Sequence, residues 1–166
     1  MAERFTIESE KQLVAFKVGR EEFGVDVLRV EGVIAMVEIT RMPRAPEFVE
    51  GIINLRGQII SVVDLARRLG IEGSPEGPTT RIVVVESEDV KVGLIVDSPQ
   101  VIHIDPEEIE PAPALAGGEL ETTFIRGVVK LGDRLLILLD VDRVLTDEER
   151  IDVEAIERLR AETAEE

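Results

Sequence analysis

The sequence predicts an all-β protein made of two small, similar lobes that pack together. Most of the 166-residue chain consists of short runs rich in β-branched residues, separated by turn residues. In addition, the stretch 48–69 recurs at 124–145 with a constant offset of 76 residues. Lobes of about 65 residues are only marginally stable alone, because small domains bury a smaller fraction of their surface. We therefore expect the lobes to share a seam.

The strand pattern predicts a series of hairpins. The predicted strands, in chain order, are 13–18, 23–27, 30–39, 51–55, 59–63, 81–86, 90–96, 125–131 and 135–139. Gly57 is suited to a positive φ in the turn after residue 55, and Gly132-Asp133 suits a two-residue hairpin turn. Asp64 to Gly70 predicts a short helix, with Asp at the N-cap and Gly as the stop signal.

The internal repeat is supported by identities at six of 22 positions, where chance would give one or two. The identical pairs are Phe48/Phe124, Gly51/Gly127, Leu55/Leu131, Asp64/Asp140, Arg67/Arg143 and Leu69/Leu145. This pattern predicts a duplicated hairpin-plus-helix unit, in lobes of about 13–80 and 81–146. Asp140 is then an N-cap and not part of a calcium loop, since Leu145 and Ile151 occupy the sixth and twelfth positions of such a loop.

Composition excludes several function classes. Acids outnumber bases 35 to 19, which gives a formal charge of −16 and disfavours nucleic-acid and anionic membrane partners. The chain has no Cys and a single histidine, His103, so we expect no disulfide, no His-based metal cluster, no Ser-His-Asp relay and no cofactor. His103 is expected on the exposed side of a strand. The longest clean apolar run, 135–139, is far too short to cross a bilayer.

The C-terminal segment differs from the rest of the chain. Residues 147–166 hold nine acids and three arginines. Apolar residues at helical spacing predict an amphipathic helix from about 152 to 163. We expect it to be solvated and lightly packed on the body.

One segment is unusually basic for so acidic a chain. Residues 41–68 hold five arginines and three acids. Asn54 and Arg56 lie in this segment and are absent from the second copy of the repeat, which makes them candidates for a function of the first lobe. Alternatively, Arg56 pairs with Glu31 or Glu50 and stiffens the hairpin.

The stretch 48–65, FVEGIINLRGQIISVVDL, closely resembles the signature of the CheW family of bacterial chemotaxis coupling proteins. Residues 23–27, 92–97 and 127–140 resemble that family too, and the likeness runs from about 13 to 146. It implies two five-stranded SH3-like β-barrels with short helices and no catalytic activity. It also implies a scaffold that couples a CheA-type histidine kinase, through its regulatory domain, to the cytoplasmic tip of methyl-accepting chemoreceptors. A cytoplasmic location is expected for another reason: no apolar run is long enough to cross a bilayer, and the first five residues lack the apolar region of a signal peptide. The chain has no room for a receiver or an ATPase domain, so a stand-alone coupling protein fits best.

The resemblance also implies a site. The receptor tip is expected against the seam, at the positions Val14, Val27, Val30, Gly51, Arg56 and Val101. Glu31, Asn54 and Gly57 are expected to support that interface. Two other interpretations stay open at this point: a CheW-like scaffold of another two-component pathway, such as type IV pilus signalling, and an enzyme.

Overall fold

Strands make up most of the structure. The computed structural model describes residues 11–43, 45, 47–72, 77–88, 90–111 and 124–145, and the single positions 149, 153, 155 and 157. The strands are β1 (Lys11–Val18), β2 (Glu21–Asp26), β3 (Val30–Ala35), β4 (Val49–Leu55), β5 (Gln58–Asp64), β6 (Thr80–Ser87), β7 (Val90–Ile104), β8 (Ile109–Glu110), β9 (Ile125–Leu131) and β10 (Arg134–Leu139). The α-helix α1 (Leu65–Leu69) follows β5, and short 3-10 helices cover Val27–Arg29, Pro106–Glu108 and Val141–Arg143. The predicted all-β class is confirmed.

Strand pairing divides the sheet into two groups that share the long strand β7. The first strand group contains β3, β4, β5, β6 and the first half of β7, which pairs with β6 and, in parallel, with β5. The second strand group contains β1, β2, β8, β9, β10 and the second half of β7, which pairs with β1. Closure of each group into a five-stranded barrel stays a prediction.

The two groups cross the lobe boundary that we expected near residue 80. Hairpin β1–β2 pairs in parallel with β10, so the N-terminal hairpin joins the C-terminal strands. Hairpin β6–β7 joins β4 and β5 instead. The repeat locates the hairpin-plus-helix units, but pairing between distant strands depends on tertiary packing, which the local pattern does not contain. Each strand group is therefore built from both sides of that boundary.

The repeat itself is visible in the backbone contacts. The amide of Asp64 donates to the carbonyl of Phe48 at 2.9 Å, and the amide of Asp140 donates to the carbonyl of Phe124 at 2.9 Å. Asp64 also caps α1, which ends at Gly70 with a φ of 72°. Asp140 caps the 3-10 helix Val141–Arg143 through its side chain, as the repeat predicts.

Two glycines at matching positions of the repeat permit close backbone contacts. A Cβ added to Gly51 would lie 2.3 Å from the carbonyl oxygen of Thr40, and one added to Gly127 would lie 2.8 Å from that of Glu110. Thr40 and Glu110 belong to the chain segments that pair with β4 and β9. Each copy thus requires glycine so that a neighbouring segment can approach its hairpin.

The largest hydrophobic cluster lies between the two strand groups, and we call it the seam core. It contains 23 of the described residues, against six in the interior cluster of each strand group. Both faces of the central strands are therefore buried. Along β1, for example, Val14 and Phe16 face the seam core, while Leu13 and Ala15 face the interior of the second strand group. The expected packing at a shared seam is present.

Arg68 of α1 joins the two copies of the repeat. Its guanidinium lies 4.7 Å from the ring centroid of Phe48 and 4.8 Å from that of Phe124. Its Nε donates to the carbonyl of Val144 at 2.8 Å, and Val144 stands 76 residues after Arg68. Cation–π contacts of this kind contribute about 0.5–2 kcal/mol each, more when desolvated. One cation thus holds equivalent parts of both copies together.

The C-terminal segment packs more firmly than the sequence suggests. Glu149, Val153, Ala155 and Glu157 are helical, and the rest of the predicted helix lies outside the described residues. Val153 is fully buried in the seam core, and Glu149 forms an ion pair with Arg68 at 2.7 Å. The expectation of light packing is therefore wrong at these positions, because an aliphatic side chain here completes the core.

We expect Gly51→Ala to lower the free energy of unfolding by about 1–3 kcal/mol, because the new methyl group overlaps the Thr40 carbonyl. Gly32→Ala is the matched control, since a Cβ there has no neighbour within 4 Å; it should change stability by less than about 0.5 kcal/mol. Urea unfolding followed by far-ultraviolet circular dichroism suits a chain without Trp or Tyr. Equal stability of the two variants would contradict the packing role of Gly51.

Candidate protein-binding surface

The β4–β5 hairpin ends in a two-residue turn that exposes Arg56. Leu55 and Gln58 pair across this turn. Arg56 and Gly57 have φ values of 52° and 84°, and a two-residue turn with two positive φ angles is of type I′. Asn-Gly fits that turn best, whereas arginine is strained in its first position. Folding alone therefore does not account for an arginine here.

Asn54 holds this turn in place. Its Oδ1 accepts a hydrogen bond from the backbone amide of Gly57 at 2.9 Å. The second copy of the repeat has Lys130 at the equivalent position and turns on Gly132, with a φ of 64°. The Asn54–Gly57 contact is thus a device of the first copy, and it orients the backbone that carries Arg56.

The alternative that Arg56 stiffens the hairpin through an ion pair is wrong for both suggested partners. Glu31 lies 3.2 Å from the Nζ of Lys91, and Glu50 lies 3.9 Å from the guanidinium of Arg41. Lys91 also reaches the side-chain oxygen of Gln58 at 3.4 Å, so Glu31 helps to connect β3, β7 and β5. Glu31 supports the strand ends without contacting Arg56.

Gly51 lies beneath the surface. It is buried, and the close Thr40 carbonyl fills the space that a side chain would need. The same arrangement at Gly127 shows that folding requires glycine in both copies. Gly51 is thus placed to bring backbone segments together.

The four predicted valines lie at one margin of the seam core. Val14 is buried in that core, and Val27 and Val30 pack against it while partly exposed. Val101 is the register partner of Val14 on the neighbouring strand and remains 57% exposed. The structure therefore gathers these four residues, with Val14 below and the other three reaching solvent.

Further exposed apolar residues follow Val27 in the chain, and sequence analysis missed them. We call them the apolar strip: Leu28, Val33, Met36 and Val37, which are 86%, 46%, 41% and 48% exposed. Val33 lies on β3, whose described pairing is with β6 on one side. The sequence did contain a signal for this exposure: residues 33–37 are apolar at every position. Because side chains of a strand alternate between its two faces, a strand buried on one face leaves some of them exposed. Several exposed large apolar residues within one short segment are a feature of binding surfaces.

Arg29 fixes the backbone turn that carries Val27 and Leu28. Its guanidinium forms a forked hydrogen-bonded pair with the carboxylate of Asp142 and donates to the carbonyl of Glu86 at 3.0 Å. The hydrogen bond to Asp142 raises the pKa of Arg29 above its ordinary value. This connection ties the crossing from β2 to β3 to the 3-10 helix Val141–Arg143.

Across the described ranges, no three His, Cys, Asp or Glu side chains gather in a way that would hold a metal ion. His103 is exposed on β7, as expected. No described helix is long and apolar enough to cross a membrane.

Comparison with known proteins places these features in a family. The family model for the CheW-like domain matches residues 12–149. The chain belongs to the CheW family. Chemotaxis protein CheW of Rhizobium meliloti is 36% identical over 143 residues, which cover 84% of this chain and 90% of that protein. Chemotaxis protein CheW of Thermotoga maritima is 34% identical over 146 residues, which cover 83% and 89%.

A solved CheW structure supports the fold as well as the family. The scaffolding protein TtCheW of Thermoanaerobacter tengcongensis superimposes with a TM-score of 0.77 at 39% sequence identity. The match covers 84% of this chain and 90% of the TtCheW chain. The chain is thus a chemotaxis scaffold or adaptor of the CheW family, and the resemblance found at residues 48–65 is confirmed.

We expect Asn54→Ala to lower stability by about 0.5–1.5 kcal/mol, because the Gly57 amide loses its side-chain acceptor in an exposed turn. Lys130→Ala alters the equivalent position of the second copy, where the turn relies on Gly132, and should change stability by less than about 0.5 kcal/mol. Urea midpoints of the two variants provide the comparison. A larger loss for Lys130→Ala would contradict the role assigned to Asn54.

Proposed function

We propose that this protein is a non-catalytic, cytoplasmic adaptor that couples a CheA-type histidine kinase to methyl-accepting chemoreceptors. The observation that carries the proposal is the family match over residues 12–149, which includes all the described strands except the first residue of β1. The geometry of the surface then suggests where the receptor binds.

The receptor surface that we propose combines the predicted valines with the apolar strip. Val27, Val30 and Val101 reach solvent at the margin of the seam core, and the residues of the apolar strip follow Val27 in the chain, before, on and after β3. An apolar helix face binds to a surface of this kind by burying its side chains at i, i+3, i+4 and i+7. Val14 and Gly51, which are buried, shape this surface from below.

Arg56 supplies the polar component of the proposed interface. Its side chain is exposed on a turn that Asn54 and Gly57 hold in shape. A guanidinium offers five donors in a fixed plane, which suits recognition of carboxylate or carbonyl oxygens. A strained backbone position is acceptable at a residue whose side chain contributes to binding.

The regulatory domain of the kinase is the second proposed partner. That domain resembles CheW, so the ends of the strand groups would meet similar ends of the kinase domain in pseudo-symmetric pairs. Each strand group carries an acid–base pair near its surface: Glu31 and Lys91 in the first group, 3.2 Å apart, and Glu22 and Arg134 in the second, 3.0 Å apart.

Titration calorimetry with the kinase regulatory domain, and separately with a receptor cytoplasmic fragment, tests the proposal. We expect micromolar or tighter one-to-one binding to the kinase domain. Arg56→Asn should weaken receptor binding about tenfold, the loss typical of an interface arginine. Because Asn-Gly suits a type I′ turn, the variant's urea midpoint should equal or exceed that of the wild type.

Arg20→Asn is the matched control, since Arg20 is also exposed at a hairpin turn and the charge change is the same. It should leave receptor binding within about twofold of the wild type. Unchanged receptor binding by Arg56→Asn would remove Arg56 from the interface. If the folded protein bound neither partner, the coupling role would be wrong, and another pathway, such as type IV pilus signalling, would be the next to test.

A further inference from the structure

Three described residues of the C-terminal segment share one face of a helix. Glu149, Val153 and Glu157 are helical and follow one another at intervals of four residues, which places their side chains in a row. Ala155 lies between them in sequence and is exposed. The row therefore has the order acid, aliphatic, acid, and the exposed Ala155 does not belong to it.

Each member of the row meets a complementary group on the body of the protein. Glu149 accepts a hydrogen bond from the guanidinium of Arg68 at 2.7 Å. Val153 is completely buried in the seam core. Glu157 accepts a hydrogen bond from the backbone amide of Ser61 at 2.9 Å.

The body holds its side of this contact in a fixed position. Arg68 lies between the rings of Phe48 and Phe124, and its Nε is bound to the carbonyl of Val144. These contacts orient the guanidinium, so it loses little freedom when a carboxylate binds. Ser61 belongs to β5, a strand paired on both sides. A cation, an apolar recess and an N–H donor are thereby arranged to receive an acid–aliphatic–acid row.

We propose that the seam carries a binding site for an acidic amphipathic helix with the pattern acid–aliphatic–acid at i, i+4 and i+8, and that this chain's own Glu149, Val153 and Glu157 fill it. The family match ends at residue 149, so Val153 and Glu157 lie beyond it. Because Arg68 contacts both copies of the repeat, filling this site strengthens the connection between the two strand groups.

Hydrogen exchange at the Ser61 amide in the full-length protein measures occupancy of the site. Val153→Asp places a charge in the apolar recess and should release the segment, so that exchange at Ser61 becomes at least about tenfold faster. Ala155→Asp introduces the same carboxylate at the exposed position of the same segment. It should leave exchange at Ser61 within about twofold of the wild type.

A synthetic peptide of residues 147–166 tests whether the site is a true binding site. Added to the full-length Val153→Asp protein, the peptide should restore slow exchange at Ser61 with saturable one-to-one binding. A peptide that itself carries Val153→Asp should not restore it. The wild-type protein should not bind the peptide, because its own segment fills the site.

Three results would overturn the proposal: equal exchange at Ser61 in the Val153→Asp and Ala155→Asp proteins, failure of the peptide to restore slow exchange, or equal peptide binding by the wild type and the variant. If Val153→Asp does not fold, the double variant Glu149→Ala and Glu157→Ala removes both polar anchors without burying a charge. The same exchange and peptide criteria then apply to that protein.

Discussion

The structure depends on the burial of apolar side chains between its two strand groups. The seam core is larger than either interior cluster, so neither strand group buries enough apolar surface alone. Hairpin β1–β2 pairs with the C-terminal strand β10, whereas hairpin β6–β7 pairs with β5. The chain therefore passes from one strand group to the other, so the groups are also connected covalently. Arg68 adds a polar connection at the same place, between Phe48 and Phe124. The two groups therefore form one folding unit.

The same seam determines where partners can bind. The chain crosses from one strand group to the other at Val27–Arg29 and again within β7, and both crossings expose apolar residues at the seam's margin. Arg29 fixes the first crossing through Asp142. The arginine of the β4–β5 turn, Arg56, has no equivalent in the matching β9–β10 turn, where the second copy carries Gly132. A binding surface on a pseudo-symmetric scaffold thus arises where the two copies differ.

The sequence predicted the local features well because they depend on neighbouring residues. The hairpins, the caps at Asp64 and Asp140 and the repeat follow from turn residues and periodicity. The grouping of the strands could not be predicted from the sequence, because the repeat does not specify which distant hairpin pairs with each copy of the hairpin-plus-helix unit. The motif around Asn54 and Arg56 identified the family, but only the structure reveals that Gly51 is buried. The apolar strip was missed because a β-branched run predicts a strand without indicating that it lies at an edge.

The most direct test of a single folding unit is urea unfolding followed by the methyl signals of Ile82 and Leu136. These residues are buried in the interior clusters of the first and the second strand group, respectively. If the seam core joins the groups, the native signals of both residues should disappear at the same urea concentration with the same steepness. Loss of one signal while the other persists would show that a strand group is stable without its partner, and would contradict this account.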